Sequence, residues 1–124
     1  MVNQILAYIG AGFVSLWGIS HLFPTKNVVE GFGEISEDNR NIITMEWIIE
    51  GVAMIFIGAL VATVTVVDPT SPVTRAVYWL VVIGLNALSV VSLFTGFKVN
   101  FISFKLCPVI FTGASILILL GALL

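Results

Sequence analysis

The chain has 124 residues, 59% of them hydrophobic and only 10% charged, with a net charge of −2 and a mean hydropathy of +1.13. Soluble domains carry about 25% charged residues, and a chain this short cannot hide so much apolar surface in its own interior, so its expected solvent is lipid. The acidic balance argues against a nucleic-acid partner, and one cysteine, Cys107, leaves no internal disulfide and no CxxC redox pair.

The first predicted span covers residues 2–23, at helical rise about 30 Å, one bilayer core. It lacks the basic leader of a cleaved signal. Ala7, Ala11 and Ser15 recur at four-residue spacing, a face that lets another helix approach closely, and Gly10, Gly12 and Gly18 read as packing positions too. Trp17 and His21 are also four apart and share a face. Pro24 ends the span.

A polar loop follows at residues 24–40, with Lys26, Glu30, Glu34, Glu37, Asp38 and Arg40. Val28, Val29, Phe32 and Ile35 interleave with these charges, which suggests a short amphipathic segment at the membrane surface, although Gly31 and Gly33 disfavour a helix. Ser36 and the acidic pair after it suit the start of the next helix.

The second span is expected over residues 41–67 and holds two carboxylates, Glu46 and Glu50, in its first half. Asp68 to Pro72 is a tight turn. The third span covers 73–97, with Tyr78 and Trp79 as an interfacial belt. A short link leads to the fourth, 101–124, in which Pro108 deprives the carbonyl of Phe104 of its helical donor. The expected fold is therefore one all-α domain over 1–124, a four-helix transmembrane up-down bundle. Lys26, Arg40, Lys98 and Lys105 crowd the side of the first and third links, against Arg75 alone on the other, so those loops are expected in the cytoplasm and both termini outside.

Up-down topology gathers the polar residues at one end. Glu50 counts about 13 Å inward from Asn41, and Asn86 about 17 Å from the end of its span. His21 and Lys105 lie nearer the surface, with Glu46 between. A carboxylate in hydrocarbon must be paired, wetted or protonated. Glu46 and Glu50, four apart, point the same way, and in low dielectric they cannot both ionise cheaply, which is how a proton carrier or general acid is built. His21 supplies a complementary base. The catalytic candidates are thus Glu50, Glu46 and His21. Asn86, Trp17, Trp47 and Lys105 are ligand-binding candidates. The plainer readings stand beside these: His21 simply wet at the interface, Glu50 purely structural, Glu46 paired to Lys105 or to cap-side amides, Asn86 as interhelical glue, Lys105 snorkelling, Trp17 and Trp47 as packing residues. Two carboxylates and one distant histidine make a weak metal pattern, so no metal and no other cofactor is expected.

In plan the chain resembles the small four-span membrane proteins of the DoxX-like group: similar length, His21 closing the first span, a long polar first loop, and a second span opening on Glu46-Trp47 and Glu50. That resemblance implies a subunit of quinone-linked membrane oxidoreductases or a membrane accessory or assembly protein, with the cytoplasmic membrane of a prokaryote as its location. The chain is also similar to the EXPERA-type sterol isomerase and sigma-two receptor fold. There acidic residues and a histidine line a lipid-accessible pocket, with Glu46, Glu50, His21 and Asn86 as counterparts here. That similarity implies proton shuttling on an isoprenoid or sterol-like ligand. Three functional classes follow. The first is a pocket binding a membrane lipid or quinone-like molecule, as an enzyme or not. The others are an accessory subunit with a membrane partner protein or a second copy, and a proton- or cation-coupled transport subunit.

Overall fold

The computed structural model describes residues Met1–Leu124. It is all-helical: α1 (Val2–Leu22), α2 (Thr25–Glu30), α3 (Glu37–Val67), α4 (Pro72–Gly96) and α5 (Ile102–Leu123). α1, α3, α4 and α5 are each long and apolar enough to cross a membrane, and their outer faces carry large apolar side chains such as Phe13, Phe56, Leu80 and Val109. The four form a ring in chain order. α1 packs closely on α3 and on α5, and α5 on α4, while α3 and α4 touch least.

The tightest seam is α1 on α3. A Cβ on Gly18 would sit 2.7 Å from the carbonyl oxygen of Gly51, and one on Gly58 would overlap Ser15 Oγ and the Ala11 carbonyl. Small residues on both helices therefore bring the backbones together, with Ala11 and Ser15 of the predicted small-residue face on this seam and Ala7 against Gly121 of α5. Gly10 has the same role toward Ala114 and Ile118 of α5, whereas Gly12 meets nothing within 4 Å and is not a packing position.

These pairings set the levels of the helices. Gly18, in the last turn of α1, faces Gly51, so α3 before Trp47 runs on past the end of α1 by roughly 15 Å. α3 has 31 residues against 21 in α1. It starts at Glu37 rather than Asn41, and Ser36 Oγ accepts from the Asn39 amide at 3.1 Å to cap it. α2, a six-residue helix that packs on α3, buries Val29 and ends before Gly31, while the projecting turns of α3 stay largely exposed. Gly33, at φ +75°, turns the chain toward α3.

α3 and α4 are joined at the hairpin end. Tyr78 and Thr65 hydroxyls meet at 2.5 Å, and Thr74 Oγ1 donates to the carbonyls of Asp68 at 2.6 Å and Val64 at 3.1 Å. Tyr78 is therefore buried in this contact and not part of a surface belt; Trp79 is the exposed member of the pair. α5 runs unbroken through Pro108. The Phe104 carbonyl that Pro108 cannot serve lies against Gly96, where a Cβ would come within 2.9 Å of it.

Candidate functional site

His21 sits at the loop-side end of α1, buried and stacked on the Trp47 indole of α3 with ring centroids 3.7 Å apart and planes 16° from parallel. Trp47 Nε1 also donates to the His21 carbonyl at 2.7 Å. Trp47 thus holds both the ring and the backbone of His21, and it reaches on to Phe104 of α5 at 5.7 Å. One turn along α3, Glu50 Oε2 lies 3.4 Å from His21 Nε2. That is ion-pair distance, yet Nε2, buried, has no hydrogen-bond partner. The His21 side chain is 7% exposed and that of Glu50 52%, so the pair has one enclosed and one accessible member.

The accessible side of Glu50 faces a cavity of about 430 Å³ between the loop-side halves of the four helices. It exists because α3 and α4, pinned together only at the hairpin end, leave their loop-side halves apart. Its polar groups thin out with depth, with Pro24, Phe101 and Phe104 also standing at the mouth. Ser20, His21, Thr95 and Ser103 line the end near the loops, Ser92 and Cys107 lie a turn further in, and Leu88 and Phe111 close the inner end. From Phe104 to Phe111 is about 10 Å along α5. The site therefore offers a polar head region at the surface end and an apolar lane running toward the middle of the bundle.

The sequence-derived residues divide as follows. His21, Glu50, Trp17 and Trp47 meet in the cavity wall. Glu46 does not line it: it lies exposed in a shallow groove on the outside of α3 among Ile42, Ile43 and Ile49, which Glu50 also borders. Asn86 lies outside the cavity as well, giving Nδ2 to the Val82 carbonyl at 2.8 Å and to Ser115 Oγ at 2.7 Å of α5. Beside it, Ser89 Oγ donates to the Pro108 carbonyl and meets Thr112. Lys105 is half-buried on α5 and makes no ion pair with Glu46; the ion pairs are His21–Glu50 and Lys26–Glu30. No group of three or more metal-ligating side chains forms. Depth also differs from the sequence count. Because α3 projects, Glu50 stands level with the last turn of α1, about one helical turn below its end. Residues that sequence reasoning missed are the α4 wall (Leu88, Ser92, Thr95) and Phe101, Phe104 and Phe111 of α5. The only signal for them was Ser92 and Thr95, which continue toward the loop end the run of polar residues begun by Asn86 and Ser89.

Four spans of this length, an apolar exterior and a polar cluster at one end make this a small integral, multi-pass membrane protein. Comparison with family models, curated proteins and solved structures finds no match.

Proposed function

We propose that the cavity binds an apolar, isoprenoid- or quinone-like membrane molecule, with its polar head at His21 and Glu50 and its tail along Leu88 and Phe111. What carries this reading is the coincidence of a carboxylate–imidazole pair, its buried His21 Nε2 without a hydrogen-bond partner, with the loop-side end of a cavity closed at its inner end by Leu88 and Phe111. The loose α3–α4 seam gives such a molecule a lateral way in from the bilayer. A histidine beside a carboxylate is also the arrangement that exchanges a proton with a bound head group near neutral pH, so proton transfer on the ligand is the chemistry the site supports. The loop side, richer in Lys and Arg, is assigned to the cytoplasm.

Photolabelling with an apolar diazirine probe in bilayers tests the binding reading. Mapped to single residues by fragmentation, labels are expected at Ser92, Cys107 and Phe111 above lipid-facing Val90 and Leu120; uniform labelling contradicts it. A second reading, an accessory subunit, draws on Glu46, an exposed carboxylate with no cation beside it on the outer face of α3. It requires a partner protein whose co-purification is lost in Glu46→Leu.

A further inference from the structure

The head-group chemistry can be taken further, resting on the binding reading above. We infer that the molecule in the cavity is uncharged and carries a hydroxyl, which bridges His21 and Glu50. Three features of the cavity point to this.

The first is charge. Apart from the Cys107 thiol, the ionisable side chains lining the cavity are His21 and Glu50, and they face one another 3.4 Å apart. Ser20, Ser92, Thr95 and Ser103 add neutral hydroxyls. The Glu50 carboxylate already has the His21 imidazole at ion-pair distance, so a charged head would bring a further charge into largely apolar walls, which membrane interiors penalise heavily. A neutral head adds no charge that needs compensating.

The second is hydrogen-bond valence. His21 Nε2 is buried and has no partner, and Glu50 Oε2 is near it without completing a hydrogen bond. A ring N–H only donates and a carboxylate only accepts. One atom that serves both must accept and donate at once, which is what a hydroxyl oxygen does. An oxygen about 2.8 Å from each closes a triangle on the 3.4 Å base. Glu50, about half exposed, is free to yield the small distance this needs. A carbonyl head satisfies Nε2 but turns its lone pairs on Glu50. An ammonium satisfies Glu50 but opposes the ring N–H.

The third is direction. The hydroxyl end belongs at the loop-side mouth, where Ser20 and Ser103 lie, and the hydrocarbon runs inward past Ser92 toward Leu88 and Phe111. A long-chain or isoprenoid alcohol in a leaflet has this orientation already.

The test uses the full chain, delipidated in detergent, with four probes that share one tail: farnesol, farnesal, farnesylamine and farnesene. Binding is read by native mass spectrometry and by the shift in melting temperature. Farnesol is expected to bind about tenfold tighter than each of the others, the scale of one bridged buried polar pair. In Glu50→Leu its advantage over farnesene should vanish. Tightest binding of the amine or the aldehyde overturns the hydroxyl assignment while the cavity reading stands. Equal binding of farnesol and farnesene overturns it too, because water then does the bridging. Failure of every probe to bind removes both readings. Should Glu50→Leu misfold, the wild-type ranking alone decides.

Discussion

Trp47 is attached to His21 twice, by the stacked rings and by the indole N–H on the histidine carbonyl. Replacing it by Phe keeps an aromatic face but removes the hydrogen bond, and should cost about 1 kcal/mol. Trp47→Ala removes both and should cost roughly 3 kcal/mol; unfolding in detergent followed by circular dichroism measures the two. At the hairpin, the Asp68 carboxylate accepts from the Thr70 hydroxyl at 2.8 Å and the Thr70 amide at 2.9 Å, and these bonds hold its carboxyl below the usual carboxylate range. The folded state therefore binds fewer protons there than the unfolded one. The contribution is present above the ordinary carboxylate pKa and fades as pH falls through the lowered value. Being fully exposed, the effect is small. It should appear as a slightly steeper acid loss of stability in wild type than in Asp68→Asn. Among single residues, His21 and Glu50 were each legible as candidates because a charge within an apolar run demands a partner. But the sequence set Glu50 against Glu46, and that His21 meets Glu50 while Glu46 faces outward was decided by the level of α3 on α1. The grip of Trp47 was not legible, since an aromatic side chain carries no sign in the sequence of what it stacks on.

At the scale of elements, the α1–α3 seam explains why glycines in these spans are not interchangeable. Gly58→Leu should force the helices apart, destabilising by about 1–3 kcal/mol or more, because its Cβ already meets Ser15 and Ala11. Gly84→Ala and Gly12→Ala, with nothing within 4 Å, should be neutral or slightly stabilising. Melting temperatures of the three variants measure the contrast. The spans themselves were legible, since runs of apolar residues of bilayer length admit one structure in lipid. So was the Ser36 cap, whose side chain competes for an amide that helix geometry leaves free. The projection of α3 was not. Hydropathy says where a helix is apolar, but which residues of two helices stand level is decided by where small residues let them touch, here Gly18 and Gly51.

For the molecule as a whole, the ring is closed firmly on three sides and loosely between α3 and α4, and the cavity follows from that inequality. No local pattern announces it, because it is made of the space between residues from four helices. Toward the hairpin, the polar groups of α3 and α4, Thr65, Tyr78 and Thr74, are satisfied by one another and by backbone, which favours a closed pocket over a path across the bilayer. A reporter that is active only outside the cytoplasm, fused to Leu124, should be active if the loop side is cytoplasmic; a silent fusion with the protein inserted would reverse the orientation. The claim on which the account turns is that the cavity holds a membrane molecule through Glu50. Mass spectrometry of the solvent extract from mildly purified wild type beside Glu50→Gln addresses it directly. A stoichiometric apolar molecule in the wild-type extract, depleted in the variant, is the expected result. Extracts empty in both, from protein that is folded in both, would contradict it.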